Sequence, residues 1–279
     1  MPRPVGHRSN VIGNAMTAPT LRTRLAKGEK IFAAWMGAAY PRMAEALGRA
    51  GFDAVIIDLQ HGEASFGEAR DAISAAHLAN TPTGVRVGLD GFGEAARLYD
   101  VGAEFAILPM INSVEDARRL VDTLKYPPVG GRSWGGTRAI SLFGAETESY
   151  RTAANDQLIA LAMIETRQAA DVLEEILDVP GLDGVFVGPS DLSISLSKGA
   201  RLDHQLPESV EVINRVLAAA KARNKLTAIY CGSGEAAARN AELGFDIMGI
   251  GSDWAFLTAG AQAALKAARG HAGPAGPNY

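Results

Sequence analysis

Eight short apolar runs punctuate the chain, each followed by a stretch in which apolar residues recur every three to four positions. The runs are Ile31–Met36, Ala54–Leu59, Thr83–Val87, Phe105–Met110, Leu158–Ile164, Gly184–Val187, Leu226–Tyr230 and Ile247–Ile250. Each has strand length and most are bounded by Gly, Pro or Asp, so each is predicted as a buried strand. The helix-period segments are Tyr40–Ala50, Phe66–Leu78, Phe92–Tyr99, Val114–Leu124, Ala169–Leu177, Glu208–Arg223, Glu235–Leu243 and Asp253–Arg269. In Glu208–Arg223, for example, Val210, Ile213, Val216, Leu217 and Ala220 fall on one face. Ser113, followed by Glu115 and Asp116, predicts a capped helix start.

Eight strand–helix units predict a (β/α)8 (TIM) barrel of ordinary length. The rival is an open doubly wound sheet, but no G-x-G-x-x-G turn follows the first strand. The barrel is expected over residues 21–269, with flexible tails at 1–20 and 270–279 that hold His7 and His271. Tyr126–Gln157 opens rich in Gly and Pro, continues as a polar helix-like segment, and is too long for an ordinary connection. It is read as a lid or active-site loop.

Composition narrows the function. The 279 residues carry a net charge of −4, which argues against a nucleic-acid partner. No apolar run reaches the length of a membrane span, and no signal-peptide core opens the chain. A cytoplasmic protein is expected. The single cysteine, Cys231, excludes an internal disulfide and a Cys-rich zinc site.

Barrel chemistry sits at the C-terminal ends of the strands. Trp35 ends the first run, Asp58 and His61 follow the second, and Arg86 lies in the third. Glu165 ends the fifth, and Gly188, Pro189, Ser190 and Asp191 follow the sixth. Singly, each has a structural reading: a turn histidine, a snorkelling arginine, a helix cap. A buried Arg86 nevertheless needs an anion beside it. Glu165 and Asp191 together suit a hard cation, Mg²⁺ or Mn²⁺, with positions open for a chelating 2-oxo acid. Such a cation is a Lewis acid. Arg86 would stabilise charge on the oxo oxygen, and the His61 imidazole would move a proton. Asp58 or Asp100 would orient that histidine.

These blocks resemble the class II, metal-dependent pyruvate aldolases of the HpcH/HpaI family. The resemblance runs from about Leu21 to Ala268. It rests on Ala33–Gly37, Asp53–Gly62, Val85–Val87, Tyr99–Ala103, Leu108–Met110, Tyr126–Pro128, Ile164–Arg167 and, most specifically, Gly181–Ser193 (GLDGVFVGPSDLS). It implies a (β/α)8 barrel in which Glu165 and Asp191 hold Mg²⁺ or Mn²⁺ (with Co²⁺ or Zn²⁺ as substitutes), His61 is the acid/base and Arg86 stabilises an enolate. It implies Asp100 rather than Asp58 as the partner of His61, and Trp35 with Gly188–Asp191 as the substrate contacts. The backbone N–H groups at Ser190 and Asp191 would hold the substrate carboxylate.

The implied reaction is cleavage of a 4-hydroxy-2-oxo acid, such as 4-hydroxy-2-oxoheptanedioate, to pyruvate and an aldehyde, in aromatic-compound catabolism. The implied assembly is a homohexamer, a trimer of dimers that exchange the last helix and complete each site across a subunit boundary. Gln60 and Met163 stand where many relatives carry an acidic residue and Gln, which implies a changed pocket. A dicarboxylic acceptor would need a second cation, for which Arg132 and Arg138 are candidates. Oxaloacetate decarboxylation or CoA-ester cleavage on the same barrel are alternatives, though no basic cradle for CoA phosphates is evident. A further alternative is a non-catalytic oxo-acid or phosphate sensor using the Gly232–Gly234 and Gly249–Ser252 clusters.

Overall fold

A computed structural model describes residues 20–270. Eight strands, β1 (Ile31–Met36), β2 (Ala54–Asp58), β3 (Thr83–Arg86), β4 (Phe105–Leu108), β5 (Ile159–Ile164), β6 (Gly184–Val187), β7 (Leu226–Cys231) and β8 (Ile247–Ile250), form a closed parallel barrel in sequential order. β8 pairs back onto β1, with Ile31 opposite Ile247. The (β/α)8 expectation is met.

The helices are α1 (Leu21–Ala26), α2 (Pro41–Arg49), α3 (Phe66–Leu78), α4 (Phe92–Asp100), α5 (Val114–Leu124), α6 (Thr137–Leu142) and α7 (Thr147–Gln157). They continue with α8 (Arg167–Asp171), α9 (Leu173–Leu177), α10 (Pro189–Leu196), α11 (Pro207–Ala222), α12 (Gly234–Leu243) and α13 (Asp253–Gly270). The tails expected at 1–20 and 270–279, with His7 and His271, lie outside the described residues except for Thr20 and Gly270. Thr20 is buried and caps α1 by accepting the Thr23 N–H. Gly270 ends α13.

Period-two alternation sorts the strand side chains into two cores. One set faces the helices and includes Val55, Ile57, Ala160, Ala162, Val185 and Val187. The other fills the barrel and includes Ala33, Trp35, Ala54, Ile56, Leu161, Met163, Phe186 and Ala228. Gly84 has no side chain because Phe105 occupies its place; a Cβ there would lie 2.1 Å from the ring.

At the strands' N-terminal end the barrel is closed by α1, whose Leu21 and Leu25 join the inner core. The Leu21 N–H donates to Glu104 Oε2 at 2.8 Å. Glu104 is buried, and loss of solvation pushes its carboxyl up to about 7 against the opposing pull of that N–H and of Arg24. Lys125, also buried, reaches Asp183 at 2.6 Å, and Asp183 pairs in addition with Arg22.

The expected lid at Tyr126–Gln157 is corrected. Most of it is helix, α6 and α7, packed on the outside of the barrel against α4 and α1, and none of it lines the cavity described below. Its anchor is Arg132, whose guanidinium lies over Tyr126 and Tyr99 at 4.5 and 5.1 Å and bonds Asp100 at 2.6 Å.

Candidate active site

The inward rows that fill the barrel continue upward into polar residues. Along β2 the row reads Ala54, Ile56, Asp58; along β5 it reads Ile159, Leu161, Met163 and then Glu165. Register sets the neighbours: Asp58 stands opposite Arg86 on the adjoining strand. Arg86 answers the need for an anion by gripping Asp58 through two bonds, Nε to Oδ1 at 2.9 Å and Nη2 to Oδ2 at 2.6 Å. The Trp35 indole N–H also reaches Asp58 Oδ2, at 3.3 Å, and the guanidinium lies 4.8 Å from the Trp35 ring. The Gln60 and His61 N–H groups close on Oδ1 at 3.0 and 3.3 Å. Burial alone would raise the Asp58 carboxyl; the Arg86 bonds and charge outweigh it and hold the group below its ordinary range.

Glu165 is 1% exposed. Its Oε1 accepts the Met110 N–H at 2.7 Å, whereas its Oε2 is buried with no hydrogen-bond partner. Burial, with the Asp191 charge adding to it, pushes the carboxyl up to about 7, against the Met110 N–H and Arg86. The adjoining Gly188 makes room for it, since a Cβ there would lie 2.6 Å from Oε2 and 2.6 Å from the Met163 methyl. An orphaned carboxylate oxygen beside a second carboxylate is what a hard dication would satisfy. Among the described residues no three His, Cys, Asp or Glu side chains converge on one point. Glu165 and Asp191 therefore fit a cation that takes its other ligands from substrate and water.

Asp191 lies in the first turn of α10, after Pro189 at the helix start. The Ser190 and Asp191 N–H groups lie in that turn and have no acceptor within the helix. The Ser190 hydroxyl shares a hydrogen bond with His204 Nε2 at 2.8 Å.

These groups surround one cavity of about 340 Å³. It is lined by Trp35, Asp58, His61, Arg86, Met163, Gly188, Pro189, Ser190 and Asp191, and by Gly37, Tyr230, Ser252, Asp253 and Trp254. Every predicted site residue except Asp100 and Glu165 lines it, and Glu165 lies behind Gly188. The His61 ring is exposed to it and has no hydrogen-bond partner among the described residues.

Asp100 is elsewhere. It ends α4, which runs back toward the strand N-termini, next to Tyr99, whose hydroxyl bonds the carbonyl of Ile159 at the start of β5. Within one subunit Asp100 does not reach His61: it is paired with Arg132, whereas Asp58, which accepts the His61 backbone N–H, lines the cavity with His61.

Sequence reasoning missed Asp253 and Trp254, and named Ser252 only in the glycine cluster of the sensor alternative. Asp253 is 2% exposed and accepts N–H groups from Gly37 at 3.1 Å, Ala38 at 2.9 Å and Trp254 at 3.0 Å, tying the β1 end to α13. The signal was its place just after β8, under the same strand-end rule that found Glu165.

A parallel eight-stranded barrel with His61, Arg86 and Asp191 around its strand-end cavity and Glu165 behind Gly188 is, with the family and relatives it matches, a (β/α)8 carbon–carbon lyase. The chain belongs to the HpcH/HpaI aldolase/citrate lyase family, whose model matches residues 32–258. It is 36% identical over 249 residues to a hydroxypyruvate/pyruvate aldolase of Rhizorhabdus wittichii, covering 89% of this chain and 98% of that one. It is 34% identical over 212 residues to a 2-keto-3-deoxy-L-rhamnonate aldolase of Escherichia coli, covering 75% and 79%. Among solved structures, an HpcH/HpaI aldolase from Desulfitobacterium hafniense superposes with a TM-score of 0.82 at 26% identity, over 92% of this chain and 99% of that one. No helix among the described residues is long and apolar enough to cross a membrane.

Proposed function

We propose that the protein is a divalent-metal-dependent aldolase that reversibly cleaves 4-hydroxy-2-oxo acids to pyruvate and an aldehyde. The observation that carries this is the buried, unpartnered Oε2 of Glu165 beside Asp191, behind Gly188 at the wall of the cavity that Arg86 and His61 line. Mg²⁺ or Mn²⁺ held by Glu165 and Asp191 would polarise the 2-oxo group.

The chain's own residues do the rest. The Ser190 and Asp191 N–H groups bind the substrate carboxylate at the start of α10. Arg86, already fixed by Asp58 and Trp35, meets the negative charge that gathers on the oxo oxygen without having to reorganise. His61 takes the proton from the 4-hydroxyl as the bond between carbons 3 and 4 breaks. The bond electrons pass to the pyruvate enolate, and a proton returned to carbon 3 completes pyruvate.

Assembly as a homohexamer of helix-exchanging dimers belongs to the same reading. It is supported by α13, which carries Leu257 and Leu265 at 54% and 49% exposure.

The test is pyruvate release from a panel of 4-hydroxy-2-oxo acids and oxaloacetate, with and without chelator, with hydroxypyruvate as a second donor in the reverse direction. The choice of that donor follows the relative from R. wittichii. Activity is expected to vanish with chelator and in Glu165→Ala or Asp191→Ala. Undiminished activity in either variant refutes the metal assignment, and turnover of oxaloacetate alone makes the protein a decarboxylase. In deuterated water, His61→Ala should lose exchange of the pyruvate methyl protons.

A further inference from the structure

No side chain caps the first turn of α10. Gly188 stands at its N-cap and Pro189 at its start. The N–H groups that follow are left for a ligand. Ser190, in that turn, lines the active-site cavity. A serine at a helix start commonly spends its hydroxyl on backbone N–H groups. Ser190 does not: its hydroxyl meets His204 Nε2 at 2.8 Å.

His204 comes from the connection between α10 and α11. It borders a second cavity, of about 210 Å³, which shares Pro189 and Tyr230 with the first. The residue before it is tied to the same turn. The Asp203 N–H donates to Ser193 Oγ at 3.1 Å, and the buried Ser193 hydroxyl donates to the Ser190 carbonyl at 2.8 Å. The residue after it is fixed as well, since the Gln205 N–H donates to Asp203 Oδ1 at 2.9 Å. All of these bonds are made within one subunit, and they hold the imidazole against Ser190.

A serine hydroxyl has one proton and two lone pairs. A ring nitrogen without a proton takes that proton and leaves lone pairs toward the cavity. A ring nitrogen that carries a proton donates to Oγ instead, and the Ser190 proton is free to turn inward. Only the second arrangement suits a carboxylate bound at the start of α10. A neutral imidazole provides it as the tautomer protonated at Nε2.

We propose that His204 is a positioning residue for the donor's carboxylate: it donates from Nε2 to Ser190 Oγ and so directs the Ser190 hydroxyl proton at that carboxylate. This rests on the aldolase reading above and deepens its account of donor binding.

The experiment has two readouts, calorimetric titration of pyruvate onto the Mn²⁺-loaded protein and the kinetics of deuterium exchange at the pyruvate methyl group. His204→Ala should raise the pyruvate Kd and the exchange KM about tenfold, the loss of one hydrogen bond to a charged group, with kcat little changed. His204 is exposed, so the substitution leaves the core intact. Ser190→Ala should cost as much, and the double variant no more than either single one. His204→Gln, whose amide N–H can donate, should recover most of the affinity. An unchanged Kd in His204→Ala, additive losses in the double variant, or no recovery with Gln overturns the assignment; with exchange intact in the wild-type enzyme, the proposed function stands. Absence of both pyruvate binding and exchange in the wild-type enzyme overturns the proposed function, and this inference with it.

Discussion

Glu104 offers a test of how the closed end of the barrel is held. Its carboxyl is raised from an ordinary 4.5 to about 7, first by burial. The folded protein therefore holds this proton more tightly than the unfolded chain does. Below pH 4.5 both states are protonated and the group imposes no penalty. Between 4.5 and 7 the unfolded chain ionises while the folded one does not, so stability falls as pH rises. Above 7 both are ionised and roughly 3 kcal/mol has been lost. Glu104→Gln removes the titration, and its amide oxygen can still accept the Leu21 N–H. Urea unfolding of both proteins, followed by circular dichroism from pH 5 to 8, should show the variant gaining about 2–3 kcal/mol on wild type across that range. Parallel stability curves would refute the reasoning and mean that Glu104 is solvated in the folded protein.

Three further outcomes are expected. Arg86→Ala strands the buried Asp58 carboxylate and should cost about 3–5 kcal/mol, a fall in Tm of about 10 °C, as well as activity; an unchanged Tm would show that the pair is not buried in solution. Gly188→Ala forces a methyl into Glu165 Oε2 and the Met163 methyl, so calorimetric titration should find Mn²⁺ affinity down about tenfold or more in a protein that still folds, with an overpacking cost of about 1–3 kcal/mol. Burial pushes the Cys231 thiol up to about 11, so iodoacetamide at pH 8 should label the native protein more than about a hundredfold slower than a free thiol; labelling at the free rate contradicts the burial.

The barrel was legible because its strands are bounded by chemistry that ends strands. β1, β6 and β8 begin and end at the residues their apolar runs predict. The run from Phe105 overshoots, since β4 stops at Leu108: Pro109 has no N–H to pair, and Met110 turns into positive φ (54°). The segment predicted as one helix from Ala169 to Leu177 breaks at Val172 into α8 and α9. The helix-like end of Tyr126–Gln157 is α6 and α7, but their place outside the barrel was hidden, because the tie of the Gly- and Pro-rich start is long-range, through Arg132 to Asp100.

In the site, the strand-end rule reached Asp58, Arg86 and Glu165 because inward alternation carries their rows toward the cavity, and His61 and Asp191 because they follow closely on β2 and β6. Asp253 obeys the same rule but in the sequence is indistinguishable from the first residue of an ordinary helix. Asp100 was singled out by a motif; within one subunit it ends α4, which carries it away from that rim.

The plug formed by Leu21 and Leu25 of α1 has a kinetic consequence. With the lower end shut, reactants and products share a single doorway on the side of Trp254. The fragment beside Glu165 and Asp191 sits deepest and has to wait for the fragment above it to leave. On the proposed reaction, release is then expected to be ordered, aldehyde before pyruvate. Pyruvate should inhibit cleavage competitively against the substrate, and the aldehyde should not.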